Sequence, residues 1–469
     1  MNIQETIKKF LRKSSLLEKM ALHLYETIPY DIRNRLLLGP AFVRWTMLLK
    51  ESESWDKDRV FSYQLEQTKT LLIHAVKNVP YYRKLFCRLG FRPERIQSPD
   101  DLIKLPYLSK DDIRDNPTEF LDERIPLKSL ARISTGGSSG IPLTIYRNRE
   151  NEAAFLAFRI NLLGRIGHSP KAREVMLWPD IRVGRKSVPF MHYGNRLVLS
   201  VRYFAGEWLL KYLTMIREFK PEYLLGYSSA LTLIANVMKQ NNLSRYENIQ
   251  AVIPYSETLY DWQRKLMGEI FGSRVFSMYA MTERAAIGSE CETSTDMHFH
   301  PLYGITEFEE YIHGYEEIVV TGFTNYEMPL IRYKTGDLVS EHSAFCHACG
   351  RMHITAGTIE GRTHEFLVGK KGELIPSLSS WIGIFQNVLQ YQFFQNKPGI
   401  VCLNIVPSKT FSKSDNDHIL SDLDRIFGQM KDAIKIELNF VDHIPRTSAG
   451  KAKMIEQRLD IYSLVASKL

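Results

Sequence analysis

At 469 residues the chain exceeds the roughly 250–300 at which one hydrophobic core stops growing, so at least two domains are expected. A composition of 44% hydrophobic and 24% charged residues is that of a globular enzyme and excludes fibrous and disordered classes. The formal charge of +8 is scattered rather than blocked, which argues against a nucleic-acid partner.

The first twenty residues alternate Lys8, Lys9, Arg12, Lys13 and Lys19 with Phe10, Leu11, Leu16 and Leu17. That pattern suits an ordinary solvated helix face before it suits peripheral contact with an anionic membrane. No apolar run reaches the roughly 20 residues needed to cross a bilayer, and no export signal with a small-residue cleavage site opens the chain. A cytoplasmic protein without a transmembrane segment is the expectation. From Ser62 to Phe86, Leu65, Leu71, Leu72, Ala75 and Val76 recur at helical spacing, with Pro80 as the breaker before Tyr81 and Tyr82. Residues 1–100 thus read as a helical leader packed on the main domain.

Residues 101–361 read as the main domain. Between about 130 and 340, strand-like runs (Glu174–Leu177, Leu197–Val201, Gln250–Ile253, Arg274–Met278, Glu317–Thr321) alternate with amphipathic stretches such as Glu207–Phe219, the signature of an α/β domain. Residues 362–469 change character: Leu389–Phe394, Ile400–Val406 and Ile434–Val441 read as strands around a helix opened by Ser414 with Asp417 three residues on. That helix is expected to bury Ile419, Leu420, Leu423, Ile426, Phe427 and Met430. The fold class is therefore α/β, with sheets flanked by helices, plus a small α+β C-terminal domain of about a hundred residues. The closing Ser467, Lys468 and Leu469 spell a peroxisomal address, meaningful only in a eukaryotic cell.

Four short stretches carry chemistry. STGGSSGIP, from Ser134 to Pro142, places three glycines and four hydroxyl residues (Ser134, Thr135, Gly136, Gly137, Ser138, Ser139, Gly140) in a loop whose backbone N–H groups can close on phosphate oxygens. It lacks the Gly-Lys-Ser/Thr ending of a kinase-type loop, and a plain flexible turn has the same composition. YAMTERA, from Tyr279 to Ala285, sets Thr282 beside Glu283. A carboxylate next to a triphosphate needs a cation between them, so Glu283 suits Mg²⁺, while a surface Thr-Glu pair starting a helix is the alternative. In LIRYKTGDLV, Asp337 follows a Thr-Gly turn, where it could accept two hydrogen bonds from a ribose diol or be an ordinary turn aspartate. IPRTSAGKAK places Lys451 after a Pro/Ser/Gly-rich loop able to deliver a point charge, or merely to solvate one.

Five cysteines without an export signal argue against a disulfide framework. Cys346 and Cys349 form CHACGR, and Cys291 with His298 follows Glu283, which supports a Cys₃His structural zinc; unligated reduced thiols are the alternative.

The order and spacing of these motifs resemble the adenylate-forming superfamily of acyl-CoA synthetases, in particular its phenylacetate-CoA ligase-like branch, which includes capsular polysaccharide proteins of the CapK type. HAVKNVPYYRKLF, LPYLSKDDIRDN, PEYLLGYSSAL and SETLYDWQRKLMGEIFG extend the resemblance over nearly the whole chain. It implies ATP phosphates on Ser134 to Gly140, adenine near Ser256 and Glu257 with Tyr279 in the same site, Thr282 on the α-phosphate and Glu283 on Mg²⁺. It also implies Asp337 on the ribose, Arg362 at the domain junction and Lys451 as catalytic lysine on a mobile lid. Ala280 stands where the family usually has Gly, and His364 with Glu365 where it usually has two acids, which leaves the acyl pocket and the hinge less defined. The implied activity is activation of a carboxylic acid as acyl-AMP with release of pyrophosphate, followed by transfer to coenzyme A. Transfer of AMP or acyl to a non-CoA acceptor in surface polysaccharide synthesis is a second reading, and a zinc-containing scaffold a third.

Overall fold

The structure, a computed structural model, describes residues 30–134, 143–179, 181–183, 186–204, 206–312, 314–362, 367–375, 385–427, 432–447 and 452–459. The basic N-terminal stretch and the Ser-Lys-Leu terminus lie outside these residues.

Helices Tyr30–Ser52, Lys57–Asn78 and Pro80–Leu89 open the described chain. The second is capped by Asp56, whose carboxylate accepts the Arg59 N–H at 2.8 Å, and it buries Thr68, Leu71, Leu72 and Ala75 on one face. Pro80 does not end the helical region. It starts the third helix, because a residue without an N–H and with φ fixed near −65° suits the first helical position, and the break falls at Val79. Tyr82 on that helix is buried; its hydroxyl donates to the Pro329 carbonyl at 2.8 Å and accepts the Ile331 N–H at 3.2 Å. The helix is thereby tied to the segment that leads into the strand Tyr333–Val339.

Among the described residues the largest sheet has eleven strands. Its centre is parallel: Ala251–Tyr255, Tyr223–Tyr227, Glu174–Trp178 and Arg196–Ser200 lie side by side. These strands are hydrophobic along their length rather than alternating, as burial on both faces requires. Helices Gly206–Phe219, Ser228–Gln240 and Asp261–Phe271 pack against them. Beyond Met278–Ala280 the sheet continues antiparallel through Ile287–Ser289, Met297–Phe299, Thr355–Ala356 and His342–Ser343. The expected strand Arg274–Met278 is two short pieces, Arg274–Val275 and Met278–Ala280, both parallel to Ala251–Tyr255.

A second, antiparallel sheet runs Gly304–Ile312, Tyr315–Gly322, Tyr333–Val339 and Ile359–Arg362. It presses on the turn after Met278–Ala280, and no side chain fits there: a Cβ on Gly322 would stand 2.8 Å from the Ala285 Cα.

The C-terminal sheet has the order Lys435–Phe440, Ile400–Pro407, Val388–Lys397, Ile455–Gln457, and helix Lys413–Phe427 covers one face. That helix buries Ile419, Leu423 and Phe427, but Leu420 is 43% exposed, contrary to the sequence expectation, because it sits on the flank of the apolar stripe. Its N-cap also differs: Ser412 and Asp415 form the reciprocal pair, with Ser412 N–H on Asp415 Oδ2 at 2.7 Å and Asp415 N–H on Ser412 Oγ at 3.4 Å. Ser414 lies inside the helix. Ser412→Ala is therefore expected to destabilise the full chain by about 1 kcal/mol while Ser414→Ala changes little, read from urea unfolding midpoints.

Candidate functional site

The parallel strands Tyr223–Tyr227 and Ala251–Tyr255 and the strand Met278–Ala280 all deliver their C-terminal ends to one side of the sheet, the usual place for ligands in a doubly wound fold. A cavity of about 260 Å³ opens there, roofed by the C-terminal sheet. Ser256, Glu257, Tyr279, Thr282, Glu283 and Asp337 all line it. Residues separated by up to about eighty positions thus converge as the motifs required.

Two tyrosines brace the acidic pair reciprocally. Tyr333, on the second sheet, donates to Glu283 Oε1 on the main sheet at 2.9 Å. Tyr279, on the main sheet, donates to Asp337 Oδ2 on the second sheet at 2.8 Å. Burial and then the Asp337 carboxylate hold the Tyr279 phenol well above its ordinary pKa, so it stays a proton donor. Glu283 is 6% exposed, and among the described residues no basic side chain pairs with it. A buried carboxylate in that position fits a cation ligand. The turn is tight: Arg284 adopts φ 58°, a left-handed conformation, and its guanidinium is buried against Phe155 and paired with Glu152.

Ser256 also has positive φ, 65°, so the chain turns sharply at the end of its strand and aims Glu257 at the helix Ser228–Gln240. There Glu257 Oε2 accepts the Ser229 N–H at 2.8 Å. Its other oxygen takes the Ala452 N–H at 2.9 Å. The carboxylate itself is thus engaged by protein N–H groups.

The remaining expected residues fall as follows. Ser134 ends a strand, Ala131–Ser134, that pairs with Thr144–Arg147, while Thr135 to Gly140 lie outside the described residues. Arg362 is in register opposite Asp337. Lys451 also lies outside the described residues, and its neighbours Ala452 and Lys453 line the cavity. Sequence reasoning missed Lys110, which lines the same cavity and donates to the Thr335 carbonyl at 3.0 Å. It stands in the LPYLSKDDIRDN segment, next to Ser109, the N-cap of a short helix.

A second cluster lies at the edge of the main sheet. One donor atom from each of Cys291, His298, Cys346 and Cys349 lies within 4.8 Å of the others. Zinc–sulfur bonds of about 2.3 Å in a tetrahedron need donors roughly 3.5–4 Å apart, which this set can reach by small adjustments. The His298 ring is oriented for it, with Nδ1 2.7 Å from the Asp296 carbonyl and Nε2 3.5 Å from Cys349 Sγ. Backbone N–H groups of Thr293 and Ser294 point at Cys291 Sγ at 3.4 and 3.1 Å, and that of Cys349 at Cys346 Sγ at 3.4 Å. Burial first, and then the neighbouring Cys349, push the Cys346 thiol up to about 11, a cost that a bound cation would reverse.

A sequence profile described as the CapK C-terminal domain matches residues 367–458. Protein CapK of Staphylococcus aureus is 26% identical over 409 residues, spanning 84% of this chain and 88% of that protein. The phenylacetate-coenzyme A ligase of Thermus thermophilus is 23% identical over 444 residues, 87% of this chain and 99% of the ligase. Among solved structures, a 2-hydroxyisobutyryl-CoA ligase in its postadenylation state superposes with a TM-score of 0.68 at 17% identity, covering 94% of this chain and 93% of that one. That last likeness is one of fold.

Proposed function

We infer that this chain, a homologue of CapK and of the phenylacetate-coenzyme A ligases with the fold of an adenylate-forming CoA ligase, activates a carboxylic acid with ATP and passes the acyl group to coenzyme A. The observation that carries this reading is the single cavity in which Thr282, Glu283 and Asp337 meet the loop that flanks Lys451.

The chemistry follows from charge. A carboxylic acid with a pKa of about 4 is ionised at neutral pH, so it attacks the α-phosphorus without a general base. The obstacle is the approach of two anions. Glu283 would hold Mg²⁺, which supplies positive charge beside the triphosphate. Thr282 donates a hydrogen bond to the α-phosphate, and Asp337, fixed by Tyr279, receives the ribose hydroxyls. Lys451 adds a cation where charge gathers in the in-line transition state, the most effective place for one. Pyrophosphate leaves, and the C-terminal domain then turns to admit the thiol. A second reading keeps the activation step but passes acyl or AMP to a different acceptor. It draws on the CapK match, which falls on the part of the chain that would meet the acceptor.

AMP and pyrophosphate are the expected products, resolved by ion-pair chromatography after incubation with ATP and a panel of acids beginning with phenylacetate; dominant ADP would exclude acid activation. Lys451→Ala should slow acyl-AMP formation about 10²-fold or more while still forming thioester from preformed acyl-AMP. An unchanged activation rate would remove Lys451 from the mechanism and direct attention to Lys453.

The four-donor cluster is proposed to hold one structural zinc, since four protein ligands leave no open coordination position. Protein purified without added zinc should contain about one equivalent by mass spectrometry, and Cys349→Ser should lower the unfolding temperature. Metal-free protein of full stability would count against it.

A further inference from the structure

The C-terminal lysine motif is fastened to the main sheet on both sides of the lysine. After it, the Ala452 N–H donates to Glu257 Oε1 at 2.9 Å. Before it, Arg446 Nη1 donates to Ser229 Oγ at 3.4 Å. The two anchors are one unit, because Ser229 is itself bound to Glu257: its N–H reaches Oε2 at 2.8 Å and its hydroxyl Oε1 at 3.2 Å.

The reason the unit is rigid lies in its position. Ser229 stands in the first turn of the helix Ser228–Gln240, whose N–H groups lack intrahelical partners, and the N-cap residue Tyr227 supplies no side-chain acceptor. Glu257 fills that role from another element, and its negative charge is favoured at a helix N-terminus. The carboxylate is therefore held by the helix Ser228–Gln240 independently of its bond to Ala452. Arg446 completes the clasp: burial lowers its pKa, the charge of Glu257 raises it, and its guanidinium faces Phe204. Arg446 and Glu257, both half-buried, face each other across the seam, and their attraction is lost when the seam opens.

We propose that Glu257 is a positioning residue, pre-set by Ser229, which holds Arg446 and Ala452, the described residues on either side of Lys451, against the main domain. Its role is confined to the activation half-reaction, since a turn of the C-terminal domain must release both bonds. Glu257 also shares a peptide bond with Ser256, whose left-handed φ fixes the direction of both side chains. The bonds to Arg446 and Ala452 are thereby linked to the shape of the nucleotide end of the cavity.

This inference rests on the acid-activating reading above. The test measures both half-reactions for the full chain with the best acid of the panel: pyrophosphate exchange into ATP, and thioester formation from saturating synthetic acyl-AMP and coenzyme A. Arg446→Ala and Glu257→Ala are each expected to slow exchange about tenfold or more at saturating ATP, since small misplacements of a catalytic group carry penalties of that size. The double variant should be no slower than the worse single one, because both break the same clasp. Arg446→Ala should form thioester within about twofold of the parent. Glu257→Gln, which keeps an acceptor but not the charge, should fall between parent and Glu257→Ala. Trypsin, cutting after Lys451 or Lys453, sites present in every variant, should cleave there faster in both alanine variants, a readout that needs no turnover. Additive effects, an equal fall in both half-reactions, or unchanged trypsin protection would overturn the clasp while leaving acid activation intact. Absence of exchange in the parent would overturn acid activation, and this role with it.

Discussion

The site depends on one constraint: two sheets must be held at a fixed spacing while each presents an acid to the same cavity. The crossed hydrogen bonds Tyr333 to Glu283 and Tyr279 to Asp337 meet it, because each tyrosine belongs to the sheet opposite its carboxylate. A shift of either sheet would break both bonds in a buried place where unpaired polar groups cost about 1–3 kcal/mol each. The glycine contact of Gly322 on Ala285 brings the sheets this close, and the Tyr82 hydroxyl carries the same constraint back to the N-terminal helices. The leader helices thus support the chemistry at a distance.

That Thr282, Glu283 and Asp337 line one cavity was legible from the order and spacing of the motifs together, since each stretch alone admits a plain structural reading. The tyrosine partners of the two acids were not legible. Tyr333 is separated from Glu283 by 50 positions and Tyr279 from Asp337 by 58, and nothing local marks either as a partner. The α/β class was legible too, since buried parallel strands are uniformly apolar. Boundaries were less so. The segment from Ser412 to Asp417 offers two overlapping Ser-x-x-Asp frames, and the choice is made by Asn387, which donates to Asp415 Oδ1 at 3.0 Å from a remote loop. Pro80 was read as a stop when the same chemistry makes a start, and only the tertiary burial of Tyr82, Leu85 and Phe86 distinguishes the two.

The cysteine cluster illustrates convergence of another kind. His298 is in register with Ser289 on one side and Thr355 on the other, while Cys346 and Cys349 lie on the connection between the last two strands of that edge. A metal held from these positions would join the edge of the main sheet to its own loops, where exposed strand edges otherwise invite unwanted pairing. Arg351, bound through both terminal nitrogens to Glu292 at 2.6 and 2.7 Å, and buried Arg165 beside His353 line the approach to this cluster. Three thiolates and one dication would carry a net negative charge, for which these guanidinium groups are the nearby compensation.

The seam between the main and C-terminal sheets is also aromatic. Trp262, on the helix Asp261–Phe271, stacks on the buried ring of Tyr391 with centroids 5.5 Å apart and planes 30° from parallel. Nearby, the Asn236 amide donates to the Leu389 carbonyl at 3.0 Å. Any rotation of the C-terminal sheet must part this pair and bring an indole from an apolar contact into water. With six tryptophans in the chain, selective replacement of the other five leaves an intrinsic fluorophore whose emission colour and quenching follow the seam in real time, without attached dyes.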